Sequence, residues 1–91
     1  MKAPAFTKQF DRDIKICQKR KKDLTQIKAV MFDLIIENEL LPKYNDHRLV
    51  GNYQGHRECH IESDWLLIYL YTLYTGNEIR FVRTGSHSDL F

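Results

Sequence analysis

Apolar residues return at helical spacing in the first part of the chain and at alternate positions in the last part, with Pro42 marking the change. Phe6, Phe10, Ile14 and Cys17 form one stripe, with Asp11, Asp13 and Lys15 between them, which predicts an amphipathic helix from about Thr7 to about Lys21. Asp23 has the chemistry of an N-cap. Behind it Leu24, Ile27, Met31, Leu34 and Ile35 make a second stripe, which must stop before Pro42 because a proline cannot continue a helix. Two helices on a short link should pack as an antiparallel pair. Ahead of them, Met1 to Ala5, with Pro4, is compatible with a short edge strand.

From Arg57 to Glu62 the pattern alternates: Arg57, Cys59 and Ile61 point one way, Glu58, His60 and Glu62 the other, as in a half-buried strand. Trp65 to Tyr71 is aromatic and branched enough for a central strand, with Trp65 in the core. Ser63-Asp64 fits a tight turn between these strands, and Gly76-Asn77 a turn into a third strand, Glu78 to Thr84. Helices first and an antiparallel meander afterwards imply an α+β layer arrangement, with the helix pair on one sheet face and the other face free to act. A chain of 91 residues without repeats or low-complexity stretches supports one core, so residues 1–91 are expected to form one domain.

Composition narrows the class only a little. With 43% hydrophobic and 29% charged residues, disorder is excluded as a default. The most apolar run is far short of the ~20 residues of a membrane helix, and the N-terminus has no apolar leader, so a cytoplasmic protein without membrane contact is expected. Cys17 and Cys59 form no metal or redox spacing and read as buried thiols. The net charge of +2 says little about a partner, but Lys19, Arg20, Lys21 and Lys22 form a block. That block suits either a solvated helix end or a phosphate surface.

Candidate chemistry is concentrated in the second half. His47, His56, His60 and His87 all lie there, among Arg48, Arg57, Arg80, Arg83, Asp64 and several aromatic residues. Imidazoles can share proton removal and donation near neutrality, arginines clamp phosphate, and aromatic rings stack on unpaired bases. Together these suit metal-free cleavage of single-stranded RNA. His56 and His60 have a spacing that zinc enzymes use on helices, but on a strand four residues span roughly 13 Å, too far for one ion. A metal site would need His47, His60 and Asp64 to meet in space, which no spacing predicts; no metal and no cofactor is expected.

Three segments carry a resemblance: Asp46 to Leu49, Arg57 to Tyr69, and Arg83-Thr84-Gly85-Ser86-His87-Ser88-Asp89-Leu90-Phe91. They are similar, in the same order and over essentially the whole chain, to the motifs of the YafQ branch of the RelE-like bacterial toxins. The resemblance implies a RelE-like fold and the toxin of a type II toxin-antitoxin system, acting as a ribosome-dependent mRNA endoribonuclease. The implied partners are the 70S ribosome with mRNA and a cognate antitoxin from the same operon, the toxin-antitoxin complex binding its operator DNA. Carried over residue by residue, the catalytic set is His47, His60, Asp64 and His87, with Arg83 on phosphate and Phe91 on substrate. The implied chemistry is attack of a ribose 2′-hydroxyl on the adjacent phosphate, His87 serving as acid, His60 or His47 as base, and Asp64 orienting an imidazole. His56 has no counterpart in the motifs, and Arg83 has a structural alternative as an ion pair with Glu58 or Glu62. The connection Tyr71 to Asn77 is longer and more aromatic than the family pattern, and Tyr69, Tyr71 and Tyr74 receive no role. The competing function on the same fold is inhibition of DNA gyrase by binding, as in ParE toxins. A cluster of groups titrating near neutrality argues against it.

Overall fold

The computed structural model describes residues 1–72 and 76–91; the centre of the expected Tyr71 to Asn77 connection, Tyr74 included, lies outside them. Strand β1 (Ala3–Phe6) ends at Thr7, whose hydroxyl accepts from the Phe10 N–H at 2.9 Å and donates to the Val82 carbonyl at 2.7 Å. One side chain thus starts helix α1 (Lys8–Lys19) and ties it to the sheet. Asp23 caps helix α2 (Leu24–Ile35) as expected, accepting from the Thr25 N–H at 3.0 Å. The helix stops well short of Pro42, which opens a 3-10 turn, Pro42–Tyr44.

Strands β2 (His47–Arg48), β3 (Arg57–Glu62), β4 (Trp65–Tyr71) and β5 (Glu78–Gly85) complete a five-stranded sheet in the order β1-β5-β4-β3-β2. The β3-β4-β5 meander is antiparallel, as the alternation predicts. The N-terminal strand joins it in parallel, Phe6 opposite Phe81, so the sheet is mixed. Phe6, expected on the helix stripe, belongs to this strand. It still reaches Phe10 and Phe81, with ring centroids 5.9 and 5.7 Å apart, because a residue just before the cap projects onto the first helical turn. Strand β2 is too short to show a period. It pairs with β3 so that His47 lies opposite Glu58.

Both helices cover one sheet face. Phe10, Cys17, Ile27, Val30 and Leu34 pack there on Cys59, Ile61, Trp65, Leu67, Tyr69, Ile79 and Phe81, and β4 is the central strand expected. The opposite face is not bare. A register shift between Ile68 and Tyr69 sets Ile68 opposite Arg83 and Tyr69 opposite Phe81, leaving Val82 as an extra residue. Val82 packs with Leu49 and Tyr53 on a second, smaller core of Leu66, Ile68 and Leu90, the last from the C-terminal helix α3 (His87–Leu90). Among the described residues no helix is long and apolar enough to cross a membrane.

Candidate active site

Polar residues of the second face converge beside the smaller core. Asp46, at the entry to β2, accepts from the Tyr69 hydroxyl at 2.6 Å and from the Arg57 Nε at 3.3 Å. Burial, then the bond to Asp46, raises the pKa of Tyr69 well above that of a free phenol, so the hydroxyl stays a donor. With Asp46 pinned, the following residue, His47, turns to the other side. Its Nδ1 is 2.6 Å from the Asn45 carbonyl, which only accepts, so Nδ1 carries a proton. The other ring nitrogen, Nε2, stands 3.2 Å from Glu58 Oε2. That contact needs a proton or a cation between the two atoms.

Glu58 was read from the sequence only as a possible ion-pair partner of Arg83. Its side chain is 5% exposed and its Oε1 has no hydrogen-bond partner among the described residues, a state costing about 1–3 kcal/mol. A signal was available, since alternation sets Glu58 and His60 on the same face of β3. His60 occupies the middle of the site, its ring centroid 6.1 Å from that of His47 and 6.1 Å from that of His87. Among the described residues its side chain makes ring contacts and no hydrogen bond.

Asp64 lies in the β3-β4 turn, where the sequence located it, and reaches the start of α3. Its Oδ1 accepts from the backbone N–H of His87 at 2.9 Å and pairs with His87 Nδ1 at 3.0 Å. These two bonds, the backbone one first, hold the Asp64 carboxyl below the usual range. An ionised Asp64 fixes the proton of His87 on Nδ1 and leaves Nε2 as the opposite ring edge. Phe91, 64% exposed, continues the row: its ring is 6.2 Å from His87 and 5.6 Å from Tyr53, and Tyr53 is 5.8 Å from His56. Six rings, His47, His60, His87, Phe91, Tyr53 and His56, therefore run in sequence across the face. Tyr53, like Glu58, had been missed, because the 3-10 turn that presents it, Gly51–Tyr53, has no readable period.

Arg83 is at the margin of this row. Its guanidinium forks onto Asp13 of α1, Nε at 2.8 Å and Nη2 at 3.2 Å, and the Thr84 N–H adds a third bond to the same carboxylate at 3.1 Å. The structural partner is thus Asp13, not Glu58 or Glu62, and a contact with the Tyr53 hydroxyl ties the same guanidinium to the row. Grooves of about 970 Å³, lined by Arg48, Val50, Gln54 and His56, and about 670 Å³, lined by Tyr44, Asn45, His60 and Ser63, flank the histidines.

The arrangement offers three imidazoles side by side, His60 between His47 and His87. It offers no thiolate: Cys17 and Cys59 are buried, and burial raises both thiol pKa values. His47, Glu58 and His60 each bring a ligand atom within 4.8 Å of the others, so this trio, not one containing Asp64, has the donors to hold an ion. The Nδ1–H of His47 on a carbonyl is also how a ligating imidazole is usually oriented.

Comparison with known proteins identifies the family. The family model for the bacterial toxin of type II toxin-antitoxin systems, YafQ, matches residues 2–91. The mRNA interferase toxin YafQ of Escherichia coli K12 is 44% identical over 88 residues, covering 94% of this chain and 91% of that one. The crystal structure of the E. coli DinJ-YafQ complex superposes with a TM-score of 0.89 at 39% identity, over 100% of this chain and 99% of that one. A metal-bound toxin from Helicobacter pylori superposes with a TM-score of 0.91 at 42% identity, over 100% of both chains. With the motif order, the RelE-like α+β fold and the whole-length matches in agreement, the chain belongs to the YafQ family of bacterial toxins of type II toxin-antitoxin systems.

Proposed function

We propose that this chain is an mRNA interferase that cuts mRNA on the translating ribosome by metal-free acid-base catalysis. One domain, residues 1–91, carries the activity, and an antitoxin from the same operon folds over the site in the cytoplasm until it is removed. The observation that carries the reading is the row His47, His60, His87, with Asp64 behind His87 and the His60 side chain without a hydrogen-bond partner among the described residues.

In this mechanism a ring nitrogen of His60 takes the proton of a ribose 2′-hydroxyl as its oxygen bonds to the neighbouring phosphorus. The bond from phosphorus to the 5′-oxygen breaks, and Nε2 of His87 supplies the proton to that oxygen. Asp64 orients the His87 ring through Nδ1, and Glu58 and the Asn45 carbonyl orient His47 beside the reacting phosphate. Phe91 and Tyr53 offer stacking faces to the splayed bases, and Arg83, held by Asp13 and Tyr53, turns its charge toward a phosphate oxygen. The products are a 2′,3′-cyclic phosphate and a 5′-hydroxyl.

The test is to map mRNA 5′ ends after brief expression of wild type and His87→Ala, recording the reading frame and end chemistry of each cut. In-frame cuts with 5′-hydroxyl ends that vanish in the variant support the reading. Growth arrest without new RNA ends would favour gyrase inhibition by binding, and 5′-phosphate ends would favour metal-assisted hydrolysis.

The His47-Glu58-His60 trio and the metal-bound H. pylori relative motivate a second reading, in which an ion occupies the base's position. Two imidazoles and a carboxylate suit Zn²⁺ or Cu²⁺, and such an ion would hold the lone pair that proton removal needs. Cleavage is then expected to survive EDTA, to fall with stoichiometric Zn²⁺, and to return on chelation. Loss of activity in EDTA, restored by Zn²⁺, would reverse the assignment.

A further inference from the structure

Helix α3 carries the proposed acid, His87, yet it has only four residues, too few to hold a helical turn unaided. Its first attachment is its own capping box: Asp89 accepts from the Ser86 N–H at 2.9 Å, and Ser86 Oγ accepts from the Asp89 N–H at 3.2 Å. Its second comes from a residue distant in sequence. Arg20, which caps the C-terminal end of α1, lays both terminal nitrogens on the same carboxylate, Nη1 on Oδ2 at 2.6 Å and Nη2 on Oδ1 at 3.1 Å. The Arg20 bond is the main cause that keeps the Asp89 carboxyl far below the usual range. The approach is close: a Cβ on Gly85 would lie 2.9 Å from Asp89 Oδ2. Arg20 thus differs from Lys22 of the same basic block, which stands over Trp65 at 5.7 Å and faces Glu62.

We infer that Arg20 is a positioning residue for RNA cleavage, clasping Asp89 so that α3 holds His87 against Asp64 and level with His60. The inference rests on the assignment of His87 as the acid. A two-pronged fork fixes direction as well as distance, which a lysine in its place does not. In single-turnover cleavage of ribosome-bound mRNA by excess enzyme, Arg20→Ala is expected to slow the saturated chemical step about tenfold, the scale of a sub-ångström misplacement, with KM from matching steady-state runs within twofold of wild type. Arg20→Lys should recover part of the rate. Asp89→Asn should fall similarly, and the double variant should be no slower than the worse single variant, because the two act as one unit. Melting temperatures of all four proteins, recorded alongside, should stay close to wild type because the pair is exposed. The inference is overturned if Arg20→Ala raises KM in a salt-dependent way and leaves the saturated rate alone, the mark of a phosphate contact. It is equally overturned if Arg20→Ala slows the Asp89→Asn background as much as wild type. His87→Ala, run in parallel, separates the two levels. If it cuts normally, the acid assignment fails; if it is dead while the Arg20 variants are normal, only the clasp fails.

Discussion

Glu58 carries a buried carboxylate oxygen without a partner and shares its other oxygen with an imidazole whose proton is committed elsewhere. Stability alone would favour an amide there, since a glutamine could donate to His47 Nε2 and bury no charge. In the proposed mechanism the carboxylate is explained by what it does to His47, whose ring it holds in place beside His60 and the phosphate. Glu58→Gln should therefore hold or raise the melting temperature while slowing cleavage roughly a hundredfold, the usual scale for losing one well-placed charged group in a site. Calorimetry and single-turnover rates on the same preparation test this. A variant that is both destabilised and fully active would mean that Glu58 is only a structural partner of His47.

At the scale of elements, α3 shows how acid should act on this molecule. Asp64 and Asp89 both reach α3, and both are held below their ordinary pKa by the bonds they accept. In the acid range between folded and unfolded values the unfolded chain binds more protons, so stability rises with pH there. Their contribution is present above the unfolded carboxylate value of about 4 and is lost as pH falls through the lower folded values. Wild type should lose more melting temperature between pH 5 and pH 2.5 than Asp89→Asn; equal losses would mean that Asp89 contributes nothing to the acid limb. The same element marks the limit of what the sequence discloses. Helices α1 and α2 and strands β3 to β5 were legible because each repeats its period over several residues of one buried face. Strand β2 and helix α3 are shorter than a period can show, and tertiary partners hold them: Asp46 on Tyr69, and Arg20 on Asp89. For the site, the motifs located His47, His60, Asp64, His87, Arg83 and Phe91, and the structure brings the three histidines and Phe91 into one row with Asp64 behind His87. Glu58 and Tyr53 stayed hidden because their roles come from a neighbouring strand and a non-repeating turn. Asp13, which looked like a polar spacer on α1, is 3% exposed and anchors Arg83, a pairing that joins distant parts of the chain and leaves no local trace.

Across the whole molecule the sheet separates two kinds of packing. The helix side is a continuous core, whereas the site side is a small cluster, Leu66, Ile68 and Leu90, that clamps the C-terminal turn beside the histidines. The first should set global stability and the second the fraction of molecules whose site is assembled. Ile27, 1% exposed in the helix core, tests one half of this: Ile27→Ala should cost about 2–5 kcal/mol in urea unfolding and leave the saturated cleavage rate of the folded fraction unchanged. Leu90, 6% exposed, tests the other half. Since α3 can detach without unfolding the sheet, Leu90→Ala should cost less than about 2 kcal/mol globally, while amide exchange at residues 86–91 accelerates and the cleavage rate falls at least as far as in Arg20→Ala. Should Leu90→Ala instead unfold the protein as readily as Ile27→Ala and cut normally when folded, the two cores would form one cooperative unit, and His87 would be held by its own turn alone.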